Sequence, residues 1–260
     1  KGLNHFKDLF DLGKTQDEWE SWQMTTIEGG NVPPEEVEAA KRDLDEKTWK
    51  QEYEASFENY GSLIYWAFDL EESVKKWEPK ELKQVMLFCD FNVNPIVGAV
   101  VVRTEYGLHI IDEIAIYGSN TDELAQEMRR RYPKEQIICF PDPAGAQNRT
   151  SAGGRTDHSI LQNAGFRVLF RPRHPKVKDR INAVNSLLLN TNKERRLFVD
   201  PKCREVIKSL SRHAYKEGTM IPDKDNGLDH MSDAIGYGVE YLFPVTKNYE
   251  LPKQQAFGVF

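Results

Sequence analysis

Residues Gln84-Val85-Met86-Leu87-Phe88-Cys89-Asp90 constrain the fold more than any other stretch of the chain. Five apolar residues run without interruption up to a single carboxylate, and a second apolar run, Pro95 to Val102, follows almost at once. A short unbroken apolar run of this kind reads as a strand buried on both faces. Such a strand excludes an Asp from its middle and tolerates one at its end. The same pattern returns at Gln136–Phe140, where Pro141-Asp142-Pro143-Ala144-Gly145 follows the apolar run.

The bulk charge argues at first against a polyanionic partner, since the net is −6 over 260 residues. That average hides an asymmetry. Residues 1–78 carry 9 Lys/Arg against 19 Asp/Glu, a net of −10, whereas 167–213 hold 13 Lys/Arg and 4 Asp/Glu, a net of +9. A basic face on an acidic protein suits a polyanion. Cys89, Cys139 and Cys203 lie far apart with no C-x-x-C pair, so neither a zinc site nor a disulfide framework is expected. No stretch approaches a membrane span, and no secretory leader pattern is visible. The chain begins at Lys1 in mid-pattern and reads as a piece of a longer protein from a reducing cytoplasm.

Three regions are expected. Residues 1–78 read as helical and rich in aromatics, with Pro33-Pro34-Glu35-Glu36 opening a helix through proline and acid in its first turn. Gly13-Lys14-Thr15 ends like a phosphate loop, but Asp8 stands where the first glycine belongs and a helical pattern precedes it, so ATPase activity is not expected of this piece. Residues 79–245 form the second region and 246–260 a tail. Within the second, strands are expected at Gln84–Phe91, Ile96–Arg103, Leu108–Ile116, Gln136–Phe140 and Phe166–Arg171, with a stub at Phe198-Val199. Helices are expected at Thr121–Arg131, from Asp157 as cap to Gly165, at Lys178–Asn190, Pro201–Leu210 and Leu228–Tyr241. The order β-β-β-α-β-α-β-α-α is an antiparallel meander feeding parallel crossovers. It predicts an α/β, ribonuclease H-like fold, a mixed central sheet flanked by helices and preceded by a small helical segment, with the first and fourth strands adjacent.

If those strands are neighbours, Asp90 and Asp142 emerge at the same edge, and paired strands lie about 4.8 Å apart, so one ion can bridge them. Hard divalent cations take oxygen ligands, and a two-metal phosphodiesterase holds its ions roughly 3.5–4 Å apart. The last helix adds Asp229 and Asp233 at i and i+4 on one face. Two acids so placed repel unless something positive sits between them. Each acid alone has a plainer reading: Asp142 as a turn residue, Asp229 as a helix cap.

These residues resemble the nuclease domain of the large terminase subunit of tailed bacteriophages, the DNA-packaging motor. The likeness rests on Cys89-Asp90, on Phe140-Pro141-Asp142-Pro143-Ala144-Gly145, and on Asp229-His230-x-x-Asp233-Ala234 with Tyr237. The opening Lys1-Gly2-Leu3-Asn4-His5-Phe6 resembles the segment just past the ATPase core, making 1–78 the end of that domain and its linker. The resemblance implies a metal-dependent endonuclease that cuts concatemeric double-stranded DNA by two-metal hydrolysis with little sequence preference. It implies Mg2+ or Mn2+, with Asp90, Asp142 and Asp233 as ligands. Asp229 is a fourth candidate ligand, His230 a proton shuttle or metal neighbour, and Glu113 a candidate outer ligand. Arg149, Arg155, Arg171, Arg173, Lys176, Lys178 and Arg180 are the expected phosphate contacts. The implied partners are DNA, the portal protein and the small terminase subunit, in the cytoplasm of the infected host and with no membrane. Two other readings share some of these features: a resolvase or transposase core of the same fold, and a non-catalytic DNA or portal docking module.

Overall fold

The computed structural model describes residues 5–13, 16–56, 63–78, 81–147 and 155–245. Short helices come first: α1 (His5–Leu12), α2 (Thr26–Gly29), α3 (Pro34–Asp43), α4 (Glu46–Tyr53) and α5 (Leu70–Ser73). The sheet region follows as β1 (Gln84–Asp90), β2 (Ile96–Arg103), β3 (Leu108–Ile116), α6 (Thr121–Arg131), β4 (Gln136–Pro141), a 3-10 turn (Pro143–Ala146), α7 (Asp157–Asn163), β5 (Arg167–Val168), α8 (Val177–Leu188), β6 (Leu197–Val199), α9 (Arg204–Arg212) and α10 (Asp229–Leu242). The opening Lys1–Asn4, Lys14-Thr15, Arg149 and the tail 246–260 lie outside the described residues.

The six strands form one sheet in the order β5-β4-β1-β2-β3-β6. β1 pairs antiparallel with β2 and parallel with β4, the two neighbours the apolar runs predict. Alternation along β1 explains why it is apolar throughout. Met86 and Phe88 enter a core with Val184, Leu187, Ala234 and Ile235, on the face covered by α8 and α10. Val85, Leu87 and Cys89 enter a second core with Leu124, Met128 and Leu161, on the face covered by α6 and α7.

Local chemistry sets the element ends. Asn120 caps α6 by accepting from the Glu123 N–H at 3.1 Å, and three arginines occupy its last turn, where the negative end of the helix favours cations. For α7 the cap is Thr156, not Asp157: its hydroxyl accepts from Ser159 N while the Ser159 hydroxyl reaches back, a reciprocal capping box. β5 is only two residues long, because beyond Val168 the chain leaves the sheet for the proline-rich turn into α8. β6, expected as a stub, extends the sheet by pairing parallel with β3.

The helical segment packs against this body. Val37, Leu44 and Trp49 form a small core of their own, and Asp45 bridges to Asn190 beyond α8. Ile64, Tyr65 and Ala67 belong to the main core, and Val74 continues the sheet edge beside Val199.

α10 reaches its depth against β1 through a glycine. A Cβ on Gly238 would lie 2.2 Å from the Phe88 ring, which is itself fully buried. Gly238→Ala should therefore lower stability by about 1–3 kcal/mol, the range for overpacking a dense core. Urea denaturation measures this, and an unchanged midpoint would mean that α10 can step off the sheet freely.

Candidate metal centre

β1 and β4 run side by side in the same direction and stop together. Cys89 is in register with Pro141, and the Asp142 N–H donates to the Cys89 carbonyl at 3.0 Å. The pairing delivers Asp90 and Asp142 to one sheet edge. Asp142 also starts the 3-10 turn, its Oδ1 accepting from Ala144 N at 2.9 Å. That turn lies hard against its neighbours, since a Cβ on Gly145 would come 2.2 Å from the Phe91 ring and 2.8 Å from His158. His158, buried and with its pKa lowered by desolvation, donates from Nε2 to the Asp142 carbonyl at 2.9 Å. Burial raises the pKa of the Asp142 carboxyl, and the neighbouring Asp90 charge pushes the same way against the opposing Ala144 N–H. His174 stands 3.4 Å from Asp142 Oδ1.

The N-terminal turn of α10 faces this pair. Asp229 is 4% exposed, and its Oδ1 is buried without a hydrogen-bond donor. Lys224 Nζ lies 3.3 Å from Asp229 Oδ2 and 3.3 Å from Asp233 Oδ2, between the two acids. Arg180 Nη1 donates to Asp233 Oδ1 at 2.9 Å, with its guanidinium 4.3 Å from the Tyr237 ring centroid. His230 links the helix to β1: its Nδ1 is 3.6 Å from Asp90 Oδ2 and 2.7 Å from Asn92 Nδ2, and Asn92 Nδ2 donates to Asp90 Oδ2 at 3.1 Å. With its proton on Nε2 the ring accepts from Asn92 at Nδ1, and the Asp90 carboxylate draws its pKa upward.

Among the described residues, no three His, Cys, Asp or Glu side chains converge closely enough to hold a metal ion as they stand. The donor set still suits a hard cation. Mg2+ keeps several waters and takes one or two carboxylates from a protein, and Asp90 and Asp142 supply two at one edge. Asp229 adds a buried oxygen that has no donor. Asp233 is occupied by Arg180 and Lys224.

No protein-family model matches the chain. Its sequence is similar to the large terminase subunit of Escherichia phage T5, 22% identical over 260 residues, covering 92% of this chain and 56% of that protein. Its fold is similar to the solved large terminase of a thermophilic bacteriophage, at TM-score 0.64 and 20% identity over 87% of this chain and 57% of the other. It is also similar to the nuclease domain of the P22 large terminase, at TM-score 0.55 and 17% identity over 71% of this chain and 94% of that domain. The resemblance to large terminase subunits holds. The chain spans a little over half the length of the T5 and thermophilic-phage large terminases, and its mixed sheet is the ribonuclease H-like fold of terminase nuclease domains.

Within that terminase-like fold, the basic run 171–180 does not form one surface. Arg173, Lys176 and Lys178 are exposed, with Lys178 paired to Glu52 at 3.3 Å. Arg155 is exposed and paired to Asp122 at 2.7 Å. Arg171 and Arg180 are corrections to the expected phosphate contacts, because both guanidinium groups are buried on carboxylates. Glu113 is another correction. Both its oxygens accept from the first N–H groups of α9, Glu205 at 3.0 Å and Val206 at 2.9 Å, which makes it a helix cap. Sequence reasoning missed Asn92, His174 and Lys224 as neighbours of the acids. Asn92 had a signal in its position two residues past Asp90, and His174 lies inside the basic run. Lys224 had none beyond a polar stretch. No helix among the described residues is long and apolar enough to cross a membrane.

Arg171 Nε donates to Glu240 Oε2 at 3.1 Å, and its Nη2 reaches the Glu240 carbonyl at 3.3 Å. Arg171→Met should cost about 3–5 kcal/mol by leaving a buried carboxylate uncompensated. Arg171→Met/Glu240→Leu should recover most of that loss. Thermal denaturation checks both variants, and a stable single variant with weakened DNA binding would restore Arg171 as a phosphate contact.

Proposed function

We propose that this chain is the nuclease-bearing part of a viral genome-packaging motor, an endonuclease that uses divalent metal to hydrolyse double-stranded DNA. The observation that carries the reading is the arrival of Asp90 and Asp142 at one sheet edge, opposite the acids of α10. The sequence similarity to a phage large terminase supports the biological setting. In that setting residues 1–78 are the end of the ATPase domain and its linker, 79–245 the nuclease domain and 246–260 its tail. The substrate is concatemeric DNA in the cytoplasm of the infected host. The portal protein and the small terminase subunit are the partners that this setting implies.

Asp90 and Asp142 would hold the first divalent ion, Mg2+ or Mn2+, with Asp229 and the Asp233 oxygen that Lys224 touches as the candidates for a second. When bound, the ions activate water and neutralise charge on the scissile phosphate and the leaving 3′ oxygen. The chain's own residues do the rest. His158 and the Ala144 N–H hold Asp142 in place from behind. Asn92 fixes the Asp90 carboxylate. His230, the half-buried imidazole beside Asp90, is positioned to take or return a proton. Arg180 keeps Asp233 oriented. Arg155, Arg173, Lys176 and Lys178 are exposed cations suited to the phosphate backbone, and Arg149 joins them as a candidate from outside the described residues. Contacts to phosphate carry no sequence information, so cutting is tolerant of sequence.

Asp90→Asn and Asp142→Asn should each reduce plasmid degradation in Mg2+ or Mn2+ by more than the roughly 10–100-fold lost when a mere supporting partner is removed. Circular dichroism should show both variants folded, and chelator should abolish wild-type cutting. Full activity in either variant would remove the metal-ligand assignment, and DNA binding without any metal-dependent cutting would favour a docking module. Lys176→Ala should flatten the dependence of log affinity on log salt by about 0.9, one phosphate contact. A fluorescence-anisotropy salt titration measures that slope, and an unchanged slope would take Lys176 off the DNA track.

A further inference from the structure

The acid cluster already contains cations supplied by the chain, and the two it holds are not equivalent. Arg180 is 6% exposed and donates to Asp233 at 2.9 Å, the length of a strong charge-assisted bond. Lys224 reaches in on an exposed stem and stands at 3.3 Å from both Asp229 and Asp233, longer than such bonds usually are. One cation is built in, and the other rests between two carboxylates.

The segment carrying Lys224 is held where it is by several contacts. His213, 2% exposed, bonds from Nε2 to the Asp223 carbonyl at 3.0 Å and from Nδ1 to the Ser232 hydroxyl at 2.9 Å, and Ser232 lies on α10 between the two acids. Asp223 N–H donates to the Ala214 carbonyl at 2.9 Å. Tyr215 bridges Pro222, Lys216 N–H donates to Ile221 at 2.9 Å, and Lys216 Nζ pairs with Asp225 at 3.2 Å. A short hairpin over 214–223 therefore presents the residue that follows it directly to the acids.

The charge count makes this placement consequential. Asp90, Asp142, Asp229 and Asp233 bring four negative charges, and Lys224 and Arg180 return two positive ones. With His174 and His230 counted as uncharged, the remainder of −2 matches a single divalent ion. Asp229 Oδ1, buried with no donor, marks an oxygen that the ammonium leaves unsatisfied.

We propose that Lys224 occupies the second cation position of the centre, so that the DNA-free chain binds one divalent ion and takes a second only when the ammonium leaves. The inference rests on the metal-centre reading above and deepens it. The ammonium spares the Asp229–Asp233 pair its mutual repulsion when no second ion is bound. A DNA phosphate arriving at the cleft offers Lys224 another anion, which vacates the pair. Occupancy of the centre is thereby tied to the presence of DNA.

The test counts ions on the DNA-free chain by calorimetric titration with MnCl2 and by Mn2+ electron paramagnetic resonance, neither of which reads activity. Wild type should bind one ion and Lys224→Met two. Lys224→Arg keeps the charge and should bind one, and Lys224→Met/Asp229→Asn should fall back to one. Lys224 is 59% exposed in its side chain, so Lys224→Met should fold, and circular dichroism monitors this. Equal stoichiometry in wild type and Lys224→Met, whether one ion or two, would overturn the proposal while leaving the metal centre standing. No ion bound by either protein would overturn the metal centre itself and the proposal with it.

Discussion

The parallel pairing of β1 with β4 is the constraint on which everything at the site depends. It fixes two carboxylates side by side at one edge, through a hydrogen bond from Asp142 N–H to the Cys89 carbonyl. The arrangement is electrostatically unfavourable without a cation, because burial and the Asp90 charge both raise the Asp142 pKa. It is maintained by apolar packing on both faces of the strands. Phe88 illustrates the coupling. Its ring meets Phe140 of β4 edge-on with centroids 5.5 Å apart, and it also receives the backbone of α10 at Gly238. One side chain thus packs against both the neighbouring strand and the helix that carries Asp229, His230 and Asp233.

The charges divide into those that hold the centre together and those free to respond. Arg180 is buried against Asp233 and stacked over Tyr237, so it acts as a fixed counter-charge. His158 holds the Asp142 backbone carbonyl and Asn92 the Asp90 carboxylate. His230, His174 and Lys224 are more exposed than the acids they stand beside.

Much of this was legible in the sequence, for physical reasons. A strand buried on both faces must be apolar along its length, so β1 and β4 declared themselves, and the acids at their ends stood out against that background. Asn120 and the three arginines of 129–131 marked both ends of α6. Burial of long charged side chains was not legible. Arg171 and Arg180 read as members of a basic run because their carboxylate partners, Glu240 and Asp233, come from a helix more than fifty residues away. Glu113 looked like a spare strand acid for the same reason, since the helix terminus it caps arrives only through the fold. Lys224 lies in a polar stretch with no periodic pattern, and only three-dimensional closure brings it to the acids.

Anomalous scattering from crystals of the wild-type chain soaked in Mn2+ tests the central claim most directly. The account predicts a peak with carboxylate oxygens of both Asp90 and Asp142 about 2.1 Å away, the distance a small hard cation demands. A peak elsewhere, or none at that sheet edge at saturating Mn2+, would contradict it.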